Sequence, residues 1–177
     1  MTRIGMNAPD PEVVNQQFRE LFDSVIARLH AYLARQCDPS DVDDVAAEVM
    51  SEVYAKWERA PAGLENQTMW VFGFARNKLH ELARQKRKGF SIIKAVSSST
   101  PVSTELGGYV DEKDRVKRLF TQIPEKEREV IYLSVFSGFT SSEIAAILGI
   151  SPTAVTTRAQ RARQHLKKII ASEREVR

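Results

Sequence analysis

At 177 residues, with 42% hydrophobic and 28% charged side chains, the chain has the make-up of a folded protein of one domain or two small ones. No run is apolar for long enough to span a membrane, and the N-terminus lacks the charged start and apolar core of a signal segment. A single cysteine, Cys37, excludes an internal disulfide, and no Cys/His cluster has zinc spacing. A cytoplasmic protein with no membrane insertion, no metal and no cofactor is therefore expected. The net charge of +3 conceals a segregation. Residues 1–68 hold 6 Lys/Arg against 12 Asp/Glu, residues 69–88 hold 6 against 1, residues 89–113 hold 2 against 3, and residues 114–177 hold 12 against 7. An acidic front half followed by two basic blocks implies separate surfaces for separate partners.

The first predicted element is a helix from about Val14 to Arg35, with Phe18, Leu21, Phe22, Val25, Leu29, Tyr32 and Leu33 on its apolar side. A second starts near Ser40, which is placed to cap with Asp43 completing a box. Val42, Val45, Ala46, Val49, Met50, Val53, Tyr54 and Trp57 form its stripe. Its other face displays Asp41, Asp44, Glu48, Ser51 and Glu52, which is either a solvated acidic face or a docking surface for a basic partner.

The third pattern, "TMWVFGFARNKLHELARQKRK" from Thr68 to Lys88, places Trp70, Val71, Phe74 and Leu79 beside the cations Arg84, Lys86, Arg87 and Lys88. Its aromatic residues suit a core. They equally suit a single-stranded DNA surface, where bases stack on rings and cations follow the backbone. Gly89 to Tyr109, rich in Ser, Thr and Gly and carrying Pro101, reads as a linker. No strand-like alternation of any length appears, so the expected fold is all-α, with two small helical domains flanking that linker.

Near the C-terminus, "TSSEIAAILGISPTAVTTRAQRAR" (Thr140–Arg163) has two helical patterns separated only by Gly149, Ile150 and Ser151. Thr140 and Glu143 have capping-box spacing, Gly149 suits the left-handed stop, and Ser151-Pro152 reads as an N-cap followed by proline at the first helical position. Ile144, Ala145 and Leu148 line the first helix, and Val155, Ala159, Ala162 and Leu166 the second. This is the outline of a helix-turn-helix, whose second helix enters the DNA major groove. An ordinary helical hairpin has the same spacing. The charge favours DNA: Arg158, Arg161, Arg163, Lys167 and Lys168 lie between Ser151 and Lys168 with no acidic residue among them.

Taken in order, these pieces resemble the extracytoplasmic-function (ECF) group of bacterial RNA polymerase sigma factors, over about Phe18 to Lys168. "DVDDVAAEVMSEVY" is similar to the polymerase-binding helix of region 2, and "MWVFGFARNKL" to the segment that melts and reads the −10 element. The stretch from "QIPEKEREVIYLSVFSGF" through "RAQRARQHL" is similar to region 4. The resemblance implies residues 1–88 as region 2, 89–113 as a flexible linker and 114–177 as region 4. It also implies a transcription initiation factor, not an enzyme, whose partners are core RNA polymerase and promoter DNA, double-stranded at −35 and melted at −10.

By the same resemblance, Asp41, Asp44, Glu48 and Glu52 dock on the clamp helices of the largest polymerase subunit. Asn77 contacts a flipped-out −10 base, in a pocket completed by the loop from about Ala60 to Thr68. Trp70 belongs to that surface, and Arg76, Lys78 and Arg84 hold phosphates. Thr156, Thr157, Gln160 and Arg161 lie where the family reads −35 bases, and Thr153, Arg158 and Arg163 where it contacts the backbone. An anti-sigma protein often restrains such factors, although no residue here identifies one. The chain departs from the family at Ala47, where Gln is usual, at Thr156, where Lys or Arg is common, and at His80, which replaces an aliphatic residue and reads as a packing variant before a proton switch. A free-standing DNA-binding regulator leaves the acidic helix unexplained. A recombinase needs a nucleophile with supporting groups, and residues 1–88 show none.

Overall fold

The computed structural model describes residues 10–96 and 118–175, and every regular element among them is helical. The chain divides into two compact units, Met1–Lys78 and Leu79–Arg177.

In the first unit, α1 spans Pro11–Leu33. It starts three residues earlier than the apolar pattern suggests, because the Asp10 carboxylate accepts the Glu12 N–H at 3.0 Å and Pro11 supplies the fixed φ of a first helical turn. Helix α2 spans Val42–Ala55. The expected Ser40/Asp43 capping box is not formed. Pro39–Asp41 winds into a 3₁₀ turn in which the Asp41 N–H donates to the Asp38 carbonyl at 2.9 Å, and the Ser40 hydroxyl is turned to the Asp41 carboxylate. The proline thus begins a tighter turn before the α-helix proper, moving its start to Val42.

Leu21, Val25, Leu29, Tyr32 and Leu33 of α1 meet Val42, Val45, Ala46, Val49, Met50 and Val53 of α2 in the core of this unit. Each fully buried aliphatic side chain contributes about 1.5–3 kcal/mol relative to exposure. Two residues expected inside sit at the rim instead, Phe22 at 37% exposed and Tyr54 at 45%. Tyr54 packs edge-on to Phe18 at 4.9 Å and donates its hydroxyl to the Asn15 side chain at 2.7 Å, so the ring is packed on one side while its polar tip stays wet. Trp57, within a short 3₁₀ turn at Trp57–Arg59, closes the other side of Phe18 at 5.6 Å.

Helix α3 runs Leu64–Val96. It begins four residues before the sequence pattern and continues through 89–96, which composition reads as linker. One glycine at position 89 costs a helix only about 1 kcal/mol, and no proline intervenes before Pro101. The remainder of the expected linker, 97–113, lies outside the described residues. Val71, Phe72, Ala75 and Leu79 form the buried side of α3, and Phe72 stacks edge-on against Tyr32 at 5.2 Å.

In the second unit residues 118–121 are helical, and α4 spans Glu125–Ile131 after Pro124. The Arg128 guanidinium donates back to the carbonyls of Phe120 and Ile123 at 3.4 and 3.3 Å, tying the preceding turn down. The helix then widens into a π turn at Tyr132–Phe136, where the Ser137 N–H reaches the Tyr132 carbonyl five residues back at 3.1 Å. The rings of Phe120, Tyr132 and Phe136 lie within 5.7 to 5.9 Å of one another, and Val135 is turned outward, 69% exposed. Helix α5 (Ser141–Leu148) and helix α6 (Pro152–Glu175) complete the unit. Ile123, Ile131 and Ala162 form a buried cluster, with Phe120, Phe136, Leu166 and Ile169 packed around it.

Candidate nucleic-acid interface

The α5–α6 pair has the expected stops and starts. Thr140 Oγ1 accepts the Glu143 N–H at 3.3 Å while the Glu143 carboxylate accepts the Thr140 N–H at 2.7 Å, so two donors at the start of α5 are satisfied reciprocally. Gly149 takes φ 64°, ψ 38°, the left-handed conformation that ends α5. Two residues later Ser151 Oγ accepts the Ala154 N–H at 3.2 Å and starts α6. The turn is therefore only three residues long.

Helix α6 hides Val155 and Ala162, at 1% and 0% exposed, and turns the opposite side to solvent. Thr153, Thr156, Thr157, Gln160, Arg161 and Arg163 are exposed on that side, and Arg158 is half-buried on its flank. The hydroxyls of Thr156 and Thr157 donate to the carbonyls of Pro152 and Thr153, at 3.1 and 2.9 Å. Among the described residues, none of Arg158, Arg161, Arg163, Lys167 or Lys168 is ion-paired. Their charge is available to an incoming polyanion.

Helix α3 presents a different surface. Trp70, Phe74, Asn77 and Arg84 recur at helical spacing along one face. Trp70 and Phe74 are half-buried, with ring centroids 5.0 Å apart at an interplanar angle of 74°, which leaves both rings partly open. Asn77 and Arg84 are exposed and Arg76 is half-buried. The segment expected as a pocket loop, 60–68, is loop only as far as Gly63. Leu64 to Thr68 already form the first turns of α3, with Thr68 buried and its hydroxyl donating to the Leu64 carbonyl at 2.8 Å.

The acidic row is present on α2, with Asp44, Glu48 and Glu52 exposed and Asp41 half-buried. It is not separate from the basic helix. Lys78 Nζ of α3 lies 2.5 Å from Glu48 Oε2. Lys56 Nζ, just past the end of α2, lies 2.5 Å from Glu52 Oε1 and 5.0 Å from the centre of the Phe74 ring. Sequence reasoning gave Lys56 no role, although Glu52 and Lys56 have the i, i+4 spacing of a helical ion pair. His80 also departs from the reading as a packing variant. Its Nε2 is 2.7 Å from the Glu129 carboxylate, which is only 6% exposed, and 3.6 Å from that of Glu125.

The model of the family "Sigma-70, region 4" matches residues 113–166, a span that holds α4, the π turn, α5 and α6 as far as Leu166. Similarity also extends along most of the chain. The RNA polymerase sigma factor SigZ of Bacillus subtilis is 25% identical over 154 residues, 85% of either chain. The ECF RNA polymerase sigma factor RpoE of Cereibacter sphaeroides is 24% identical over 155 residues, 84% of this chain and 86% of its own. Residues 113–166 thus match a sigma-70 region 4, and along most of its length the chain is similar to sigma factors of the ECF group.

The fold agrees with that family. A sigma factor RpoE from Bartonella quintana, solved in complex with the anti-sigma factor NepR, superposes with a TM-score of 0.70 at 23% identity, covering 88% of this chain and 98% of its own. The region 4 match and the sequence relatives support a transcription initiation factor that directs RNA polymerase to promoters. Among the described residues no helix is long and apolar enough to cross a membrane, and no group of three or more His, Cys, Asp or Glu side chains is placed to hold a metal ion.

Proposed function

We propose that this sigma factor divides promoter recognition between α6 and α3, with α6 reading duplex DNA at −35 and α3 capturing the melted −10 strand. The observation that carries the reading is the exposed face of α6, where base-reading residue types and cations with no ion pair among the described residues occur together opposite a buried seam. Thr156, Thr157, Gln160 and Arg161 address base edges, while Thr153, Arg158 and Arg163 address phosphates. Phosphate contacts set register and only base-edge contacts carry sequence information.

On α3, Asn77 contacts the extruded −10 base, Trp70 and Phe74 offer stacking surface, and Arg76, Lys78 and Arg84 follow the backbone. Extruding a base costs a few kcal/mol, so a preformed aromatic and polar surface is a requirement for melting. Asp41, Asp44, Glu48 and Glu52 dock on the clamp helices of the largest polymerase subunit. Residues 1–88 act as the −10 and polymerase module and 114–177 as the −35 module, with 89–113 joining them. The protein works in the cytoplasm, catalyses nothing itself and is open to restraint by an anti-sigma protein, in keeping with the solved complex of its structural relative.

Reconstituted transcription with core polymerase on a library of random promoters tests this. Active templates should share two elements, one lost in Arg161→Ala and the other in Asn77→Ala. Active templates with no common −35 element would overturn the α6 assignment.

A further inference from the structure

The two ion pairs across the acidic row and the −10 helix join surfaces that the proposed function assigns to different partners. Glu48 belongs to the polymerase-docking row and Lys78 to the phosphate contacts, yet each is the other's counterion, with Lys78 24% and Glu48 57% exposed. Glu52 likewise holds Lys56, and that ammonium sits over Phe74, the ring that pairs with Trp70 on the stacking face. Two of the four docking carboxylates therefore hold lysines that border the single-strand surface. All of these residues lie within the first unit, Met1–Lys78.

We infer that Glu48 and Glu52 act as exchangeable counterions, so that engagement of these carboxylates by a basic partner surface releases Lys78 and Lys56 to the phosphates of single-stranded DNA. The inference rests on the proposed roles of α2 and α3. Its physics is competition for one charge. A guanidinium that takes both oxygens of a carboxylate in fork geometry displaces the point-like ammonium of a lysine. The displaced ammonium stays on its helix and becomes the nearest cation to a strand stacked on Trp70 and Phe74.

In the isolated chain the same pairs lower the positive potential over that face and weaken its hold on DNA. Linkage makes the effect reciprocal, so a strand bound to the lysines favours capture of the carboxylates by the partner to the same degree. Lys78 and Lys56 are in this view coupling residues as well as phosphate contacts. The acidic row is part of the mechanism that keeps the free protein off DNA.

The test uses the full chain and oligo(dT), with binding followed by fluorescence anisotropy across a salt series. Glu48→Gln with Glu52→Gln should tighten binding about three- to tenfold at low salt, because half-exposed ion pairs are individually weak. The same double variant should steepen the salt slope by about 1.4, since each newly available cation on a single strand adds about 0.7. Adding Lys56→Gln and Lys78→Gln should abolish both gains. Asp43→Asn removes one charge, against two in the double variant, from the same helix at a carboxylate that faces His30 at 3.5 Å, and so controls for the effect of net charge per carboxylate. Unchanged affinity and slope in the double variant, an equal gain per charge removed in Asp43→Asn, or a gain that survives loss of the lysines would each overturn the inference. Failure of the wild-type chain to direct core polymerase to any promoter would instead overturn the reading beneath it.

Discussion

Helices α3 and α6 are both long, both basic and both assigned to DNA, yet their cations are held differently. On α6 the five cations between Ser151 and Lys168 have no acidic neighbour in sequence and, among the described residues, no ion pair in space. On α3 Lys78 is tied to Glu48 and His80 to Glu129, and the ring of Phe74 is capped by a lysine that answers to Glu52. On the proposed roles, the difference follows the two tasks. A duplex major groove is available before polymerase acts, so its reader can stand ready; a single strand exists only after melting, and a surface for it is best left neutralised until then.

That contrast can be broken in several ways. Ala162 is fully buried beneath the basic face of α6. Ala162→Asp strands a carboxylate there, and the second unit should lose at least about 3 kcal/mol in denaturant unfolding together with its binding to −35 duplex. Retained stability and binding would mean that α6 owes its orientation to something other than this seam.

Arg161→Ala should reduce discrimination between −35 sequences by about 1–3 kcal/mol in competition binding. An equal loss on every sequence would move Arg161 to the backbone contacts and make α6 more like α3. For Asn77→Ala, promoter opening should fall about tenfold while closed-complex binding holds, in line with the loss of one polar contact to an extruded base. Unchanged permanganate reactivity of promoter thymines would remove Asn77 from the pocket.

The smallest expected effect is at the turn that sets α6. No neighbour lies within 4 Å of a Cβ added at Gly149, so Gly149→Ala costs only the left-handed backbone strain, about 1–2 kcal/mol in thermal or denaturant unfolding. A larger loss would show that the three-residue turn is held by contacts beyond its own conformation.

The helix-turn-helix was legible because its instructions are local. Thr140 and Glu143, Gly149, and Ser151 with Pro152 each act within four residues, and all three devices form as read. The α2 start misled because Pro39 and Ser40 supply two competing local options, and the 3₁₀ turn takes precedence over the capping box. The core stripes of α1 and α2 were legible except at Phe22 and Tyr54, where helical spacing marks a side of the helix but not how far the neighbouring helix extends over it.

The ion pair between Glu48 and Lys78 was out of reach for a different reason. It joins residues of two helices thirty positions apart, and only their packing decides which cation a carboxylate meets. The π turn also carried no readable signal. "YLSVF" continues an apolar helical pattern, and the extra residue shows only in the Tyr132–Ser137 hydrogen bond.

That inserted residue governs more than its own turn. Each residue of a regular helix advances about 100° around the axis, so taking up one additional position shifts by about that angle the point at which the chain leaves the turn at Phe136. The outward Val135 and the start of the segment leading to α5 are therefore clocked by a single residue. Deletion of one residue between Tyr132 and Phe136 would change the direction in which the chain leaves α4 toward α5, although every side chain of α6 remained in place.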